Sequence, residues 1–311
     1  YFPDAAILTS VEFDHADIYK DLDAVETAFK RLVNLIPQRG RIIAFDGMAG
    51  DTGESASLER CLSKAFCPVE HYGSGVRSDW RITNLKFEAG RTSWSVWHKE
   101  RHWGDLEFPL AGEYNVWNAT AAAALAAAYG ISKEEIAAAL KTFKSVKRRL
   151  EVKAQVNGIT IIDDFAHHPT AIAGTLKALR ARYAGAREPR SNTLRRRVLQ
   201  NDLARSLALA DEVIVAGVFR SEAVPVNERL ELPELAADIE KHGRRARLIA
   251  DADEIVQKIA PEMRSGDVVA ILSNGGFGGI YEKLPARLRE LASNTEVVIA
   301  TNNAANAAGK Q

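Results

Sequence analysis

Short apolar runs alternate with helical patterns along most of this chain, and such alternation is typical of an α/β fold. Continuous apolar runs predict buried strands at 5–9, 41–45, 159–162, 211–215, 246–250 and 267–272. Apolar residues spaced three or four apart predict amphipathic helices between them. Those helices are expected within 22–36, 58–66, 113–129, 133–143, 169–185, 233–242, 253–259 and from 280 through 291.

The segment from Arg81 to Leu110 has a different pattern, in which polar and apolar residues alternate singly. This alternation predicts antiparallel hairpins, with a turn at Ala89-Gly90. The segment also contains Trp94, Trp97 and Trp103, which could form a surface for stacking nucleic-acid bases. No basic excess accompanies them, so packing within a sheet or core is the favoured interpretation.

Composition narrows the function classes. The chain has 311 residues, enough for two domains. Its 41 Lys+Arg residues balance its 41 Asp+Glu residues, so it has no net positive charge that would attract nucleic acid or an anionic membrane. The sequence has no apolar run near the roughly 20 residues that a membrane span needs. Cys61 and Cys67 match neither a zinc motif nor a disulfide framework, which favours a reducing, cytoplasmic setting.

The densest candidate chemistry is the segment Asp163-Asp164-Phe165-Ala166-His167-His168-Pro169. It follows an apolar strand and precedes a helix that Pro169 suits as a first residue. Ligands of open α/β sheets bind at this carboxyl edge, so four ionisable groups in six residues favour a site. The alternative is that Asp164 or His168 only caps the helix.

Two further polar clusters occur earlier. Glu12, Asp14, His15 and Asp17 follow the first strand and could supply metal ligands, although a charged loop that caps the next helix is favoured by residue type alone. On the alanine-rich helix, Asn115 and Asn118 are three apart and share a face. Their amides could contact a purine edge, but an Asn N-cap plus one exposed Asn is the simpler interpretation of the spacing.

The second half adds two features. A basic stretch from Lys144 to Lys153 is either a solvated face or a linker that directs arginines toward a phosphate. A glycine-rich turn at 273–279 lies between a strand and a helix, where backbone N–H groups could face an anion. Its glycine spacing differs from that of the dinucleotide fingerprint. The sequence predicts that residues 293–311 form a loose C-terminal tail.

Several of these motifs, in this order, resemble the Mur ligase family of ATP-dependent amide-forming enzymes. The motifs are 12–17, 115–118, 163–169, 188–193 and 273–279, and the resemblance covers nearly the whole chain. It implies an α/β fold: the remainder of a central ATP-binding domain with an antiparallel segment at 1–146, a Rossmann-like C-terminal domain with a mostly parallel sheet at 147–294, and a tail at 295–311.

The resemblance also implies residue roles. His15 matches a residue that helps hold Mg²⁺, Asn115 and Asn118 match residues that face the adenine of ATP, and Arg149 matches one that reaches its phosphates. Asp164 would lie on the ribose side of the nucleotide, and His167 and His168 near the reacting carboxylate. The peptide-binding region would be lined by Arg190, Ser191, Asn192, Asn274, Gly275 and Gly276.

The implied reaction is the joining of UDP-N-acetylmuramate to the tripeptide L-alanyl-γ-D-glutamyl-meso-diaminopimelate through an acyl phosphate, in cytoplasmic peptidoglycan recycling. ATP and Mg²⁺ are the expected cofactors, with small-molecule substrates and neither nucleic acid nor membrane as partner. Alternatives are family members that use L-alanine or other peptides, and a non-catalytic nucleotide- or peptide-binding module.

Three departures from the family pattern affect these expectations. The sequence shown has no P-loop, so we expect it to be the later part of the central domain plus the C-terminal domain, inactive by itself. Tyr114 stands where the family often has His. The helix predicted to end near Gly185 runs almost directly into Glu188, where the family has a strand, so we hypothesise that residues are missing from the chain as given between them.

Overall fold

In the computed structural model, the described residues are 2–15, 18–47, 56–75, 77–88, 90–183, 199–217, 230–273 and 275–293. The chain divides into two compact units, unit 1 (Tyr1–Lys144) and unit 2 (Ser145–Gln311). Within the described ranges, every helix is too short or too polar to cross a membrane.

Unit 1 is built on a six-stranded sheet whose spatial order follows the chain. Its strands are β1 (Ala5–Leu8), β2 (Arg41–Phe45), β3 (Val69–Gly73), β4 (Trp80–Glu88), β5 (Arg91–His98) and β6 (Arg101–Phe108). Neighbours from β1 to β4 are parallel, and β4 to β6 form an antiparallel meander. The predicted hairpins are therefore confirmed, whereas β3, half of which is polar, was not predicted.

In the described part of unit 1, four helices cover this sheet: α1 (Leu22–Leu35), α2 (Ala56–Leu62), α3 (Glu113–Ala128) and α4 (Lys133–Lys141). Because side chains of a strand alternate between faces, Ile42 and Ala44 pack in one core with α1 and α2, while Ile43 packs in another with α3. Trp94 is 2% exposed in the second core, as expected for packing rather than base stacking.

Local sequence signals fix two of the helix starts. The Asp21 side chain accepts a hydrogen bond from Ala24 N at 2.9 Å and caps α1. Ser132 and Glu135 form the predicted capping box at the start of α4. These caps satisfy backbone N–H groups that have no partner inside their own helix.

Unit 2 contains five strands in its described part: β7 (Glu151–Val156), β8 (Ile159–Asp164), β9 (Glu212–Ala216), β10 (Arg245–Ile249) and β11 (Val268–Leu272). They pair in the orders β11-β8-β7 and β10-β9, and all pairs are parallel except β7 with β8. Its helices are α5 (Pro169–Arg182), α6 (Gln200–Leu207), α7 (Leu232–Lys241), α8 (Ala252–Ile259) and α9 (280–293). The predicted mixed α/β class is confirmed.

One core serves both strand groups of unit 2. It includes Ile161 of β8, Ile214 of β9, Ile249 of β10 and Ile271 of β11. Burial of these β-branched residues follows from the helices that cover parallel strands. Strand β7 and helix α6 were not predicted, and the hypothesis of missing residues near Gly185–Glu188 falls outside the described residues.

Candidate functional site

The parallel pairing of β8 with β11 brings two candidate segments of unit 2 to one sheet edge. Asp163 is opposite Ile271 and Asp164 is opposite Leu272, so both strands end together. Ser273 N donates to the Asp164 carbonyl at 3.2 Å just beyond the strand ends. The segment 163–168 and the glycine-rich turn after β11 therefore leave the sheet side by side, as the carboxyl-edge argument predicts.

Asp164 is 4% exposed, and both of its carboxylate oxygens accept hydrogen bonds from its own chain. One oxygen accepts from Ala166 N at 2.8 Å and Thr175 Oγ1 at 3.2 Å, and the other accepts from Leu150 N at 2.8 Å. Burial raises the pKa of this carboxyl, and the three hydrogen bonds oppose that rise. Asp164 thus fixes the local backbone around the edge.

The capping alternative for this segment is wrong. His168 occupies the N-cap position of α5 but makes no side-chain cap hydrogen bond, and the Asp164 carboxylate bonds elsewhere. Both His167 and His168 are half-buried. The His167 Nδ1 atom lies 3.1 Å from the Phe165 carbonyl, and its ring meets that of Phe165 edge-on at 5.3 Å. The two imidazoles therefore lie at the N-terminus of α5.

Asp163 has different partners from Asp164. It is 3% exposed and accepts a hydrogen bond from the Tyr281 hydroxyl at 2.7 Å. The Arg148 Nε atom lies 3.3 Å from both of its carboxylate oxygens. Burial and the neighbouring Asp163 carboxylate raise the pKa of Tyr281. Sequence reasoning missed Arg148 and Tyr281, which lie 15 and 118 residues from Asp163 and have no local signal.

Arg149 is an exposed cation next to this edge. Its flanking residues Arg148 and Leu150 both have left-handed backbone, with φ of 60° and 47°. Within the described part of the chain, its guanidinium has neither a hydrogen bond nor an ion pair. A guanidinium in that state can bind a phosphate in bidentate fashion.

In unit 1, Asn115 and Asn118 lie in the first two turns of α3. Gly112 is the N-cap, so the alternative of an Asn cap is wrong. Asn115 is 8% exposed and its Nδ2 donates to the Ala111 carbonyl at 2.7 Å. Asn118 is exposed. Asn118 therefore has the more accessible amide of the two.

The metal candidate of unit 1, His15, lies in the loop after β1 with a left-handed φ of 52°. Its ring Nε2 is 3.9 Å from the Asp14 carboxylate. Among the described residues, no group of three or more His, Cys, Asp or Glu could hold a metal. Since Mg²⁺ prefers six oxygen ligands, His15 and Asp14 alone do not fit a complete magnesium site. The alternative that this cluster caps α1 is also wrong, because Asp21 does so.

Most of the predicted peptide-binding residues, namely Arg190, Ser191, Asn192 and Asn274, lie outside the described residues. Gly275 and Gly276 are described. Gly275 N donates to Ser273 Oγ at 3.1 Å, and its carbonyl accepts from Arg148 Nη2 at 3.3 Å. The Gly275 N–H is thus engaged within the turn, in contrast to the expectation that it faces an anion.

Two family models match the chain in the same order as its two units. The Mur ligase middle domain matches residues 1–126, and the Mur ligase glutamate ligase domain matches residues 148–275. Together they account for most of the described residues, including β8 and β11.

Individual relatives agree with these models. UDP-N-acetylmuramate–L-alanyl-γ-D-glutamyl-meso-2,6-diaminoheptandioate ligase of Escherichia coli K12 is 35% identical, over 91% of this chain and 59% of the relative. UDP-N-acetylmuramate–L-alanine ligase of Geotalea daltonii is 30% identical, over 93% of this chain and 62% of the relative. The chain therefore spans about three-fifths of the curated relatives that it matches.

A solved structure, the murein peptide ligase of Psychrobacter arcticus, also resembles this chain. It is 29% identical with a TM-score of 0.61, and the match covers 93% of this chain and 58% of that one.

Proposed function

The chain belongs to the Mur ligase family, and we propose that it takes part in the ATP-dependent joining of UDP-N-acetylmuramate to L-alanyl-γ-D-glutamyl-meso-diaminopimelate. The observation that carries the proposal is the segment 163–168, which leaves β8 beside the turn after β11. The similarity to the Escherichia coli tripeptide ligase supports this choice of substrate. Peptidoglycan recycling in the cytoplasm is part of the same proposal.

The proposed chemistry starts from a carboxylate, which is a poor acyl donor. A carboxylate oxygen of the muramic acid takes the γ-phosphoryl group of ATP, and ADP leaves. The neutral alanine amine then attacks the acyl carbon of this acyl phosphate. The carbon–oxygen bond to phosphate breaks, the nitrogen releases a proton to solvent, and the amide forms. Positioning and charge neutralisation account for most of the catalysis in such transfers.

Each candidate residue has a role in this scheme. Arg149 would bind the phosphates, Asn118 and Asn115 the adenine, and His167 and His168 would lie near the reacting carboxylate. Asp164 would orient the nucleotide's ribose side through the backbone that it fixes. Mg²⁺, when bound, would neutralise phosphate charge, and His15 is the described residue proposed to contact it. Residues 1–146 and 147–294 remain our proposed domains.

The test is an amide-forming assay of the protein from the full open reading frame that encodes this chain. We expect release of ADP and phosphate that depends on both UDP-N-acetylmuramate and tripeptide. Free L-alanine serves as the competing amine. ATP turnover with L-alanine and none with tripeptide would reject the substrate, and absence of any amide product would reject the activity.

A second substrate is supported by one specific observation, the similarity to the Geotalea daltonii L-alanine ligase. The tripeptide carries more carboxylates than L-alanine, and an arginine binds a carboxylate in bidentate fashion. Replacement Arg190→Ala should therefore raise the KM for tripeptide far more than the KM for ATP. An unchanged tripeptide KM would reject the assignment of Arg190 to the peptide-binding region.

A further inference from the structure

Arg148 is a half-buried cation to which the proposed function assigns no role. Its side chain is 28% exposed, and its Nε faces both oxygens of Asp163 at 3.3 Å. Its Nη2 donates to the carbonyls of Ser273 and Gly275. The guanidinium carbon lies 5.1 Å from the centre of the Phe165 ring. One side chain thus connects the end of β8, the segment after it and the turn after β11.

The backbone of Arg148 is also fixed. Its N–H donates to the Glu151 carboxylate at 2.8 Å, and its carbonyl accepts from Phe165 N at 2.9 Å. Two residues later, Leu150 N donates to Asp164 at 2.8 Å. A left-handed conformation is disfavoured for such side chains, so these contacts must hold it. Arg149 lies between these two residues, so its backbone is held on both sides.

The anion that holds Arg148 is itself fixed. Asp163 is 3% exposed in β8, and the Tyr281 hydroxyl of α9 donates to it at 2.7 Å. A buried carboxylate that loses its cation is strongly destabilising, so the pair is expected to stay formed in the folded protein. The planar guanidinium can therefore serve several acceptors in a constant geometry, which a lysine ammonium cannot match.

We propose that Arg148 is a positioning residue that ties the Arg149 linker to the turn carrying Ser273 and Gly275. The two parts of unit 2 then keep one relative arrangement, and a change in either is transmitted to the other. That the segment around Arg149 binds phosphate and that the turn binds the peptide both rest on the proposed function. Amide formation needs the amine of the peptide aligned with the acyl phosphate that forms at the ATP site, and a shared clamp provides that alignment.

The structural part is tested by hydrogen exchange in the whole natural protein. In Arg148→Gln, we expect exchange of the Leu150 and Phe165 amides and of the Ser273 and Gly275 amides to rise together, by roughly tenfold, as for loss of a charge-assisted hydrogen bond. Lys147→Gln is the matched control, because Lys147 is the exposed neighbouring cation, and it should leave all four amides unchanged.

Two milder variants keep the test decisive if Arg148→Gln does not fold. Arg148→Lys keeps the positive charge but removes the planar guanidinium that donates to several acceptors. Tyr281→Phe removes the second hydrogen-bond donor to Asp163. Both should accelerate exchange in the linker and the turn together, with a smaller effect for Tyr281→Phe. Acceleration in one segment alone, or in neither, would overturn the proposal.

Kinetics separates positioning from ligand binding. Arg148→Lys should raise the KM values for ATP and for the amine substrate in parallel, whereas Arg149→Ala should raise mainly that for ATP. An Arg148→Lys effect confined to one substrate would contradict the coupling. If the wild-type protein forms no amide, only the proposed function is rejected. The positioning role of Arg148 is tested separately by the hydrogen-exchange measurements.

Discussion

Thr120 shows how one buried hydroxyl supports the unit 1 core. It is 0% exposed, and its Oγ1 accepts a hydrogen bond from Trp94 Nε1 at 3.0 Å. The variant Thr120→Val keeps the volume and removes the acceptor, which leaves a buried N–H unpaired. We expect the unfolding free energy to fall by about 1–3 kcal/mol, measured by urea denaturation.

Thr142→Val is the control for that measurement. Thr142 is exposed, and its hydroxyl donates to the carbonyls of Ala138 and Ala139 within α4. Its replacement should change stability by less than about 0.5 kcal/mol. Equal effects at both threonines would show that the Trp94 hydrogen bond contributes little.

Arg149 gives the residue-scale prediction for the site. It is exposed and lies between Arg148 and Leu150, which are both held in place. Arg149→Ala should raise the KM for ATP roughly 10- to 100-fold, the range for a lost charge-assisted hydrogen bond. Steady-state kinetics with Lys147→Ala as the control checks this. A larger effect on the KM of UDP-N-acetylmuramate than on that of ATP would contradict the assignment.

At the scale of elements, helices α1 and α2 are joined by a buried charge. Glu26 is 2% exposed, and Arg60 Nη2 and Nε approach its carboxylate at 2.6 and 3.0 Å. The Arg60 hydrogen bond lowers the pKa of Glu26 despite burial. The folded protein therefore prefers the ionised form of Glu26. The pair stabilises the folded state fully at pH values above the ordinary Glu pKa of about 4.3, and this stabilisation is lost as the pH falls through the lowered pKa of Glu26.

The variant Glu26→Gln tests that link. At pH 7 we expect the unfolding free energy to fall by about 1–3 kcal/mol, less than for a fully buried pair because Arg60 is half exposed. The difference from wild type should shrink when denaturation is repeated at a pH below 4. Asp23→Asn, an exposed change in the first turn of the same helix, should cost much less, because it removes only a weak interaction with the helix N-terminus and with Arg60.

The β7–β8 turn provides a second element-scale prediction. Gly158 has a φ of +76°, and a Cβ built there would lie 2.2 Å from Ser265 Oγ. Gly243, at the end of α7, has a φ of +77° with nothing within 4 Å of such a Cβ. Both Gly→Ala changes carry backbone strain of about 1 kcal/mol, and only Gly158→Ala adds a clash.

Thermal unfolding followed by far-UV circular dichroism compares the two variants. Gly158→Ala should lower the transition of unit 2 by more than Gly243→Ala. Adding Ser265→Ala to Gly158→Ala should recover part of the loss, because the overlapping oxygen is removed. An equal loss in both single variants would show that Ser265 moves away at no cost.

At the scale of the whole molecule, each core described above consists of residues from one unit. The chain has five tryptophans, at 80, 94, 97, 103 and 117, and all lie in unit 1. Tryptophan fluorescence therefore follows unit 1, whereas far-UV circular dichroism follows both units. We expect Thr120→Val to shift the fluorescence transition and Gly158→Ala to leave it in place. A fluorescence shift with Gly158→Ala would show that the units unfold together.

The sequence alone determined the features whose signals are local. Strand β2 is a continuous apolar run, α1 has helical spacing ahead of Pro37, and α4 begins with a capping box. The motif order was also sufficient for the family, which the domain models confirm. These signals persist because they depend on residues within a few positions of one another.

Only the tertiary structure decided the features that depend on distant partners. Strand β7 is half exposed and carries charges, and its pairing with β8 rather than its pattern makes it a strand. Arg148 belongs to a basic stretch typical of a solvated face, yet its partners Asp163 and Ser273 are 15 and 125 residues away. A hydrogen bond between such positions leaves no periodic trace in the sequence, because it forms only when β8 and β11 lie side by side.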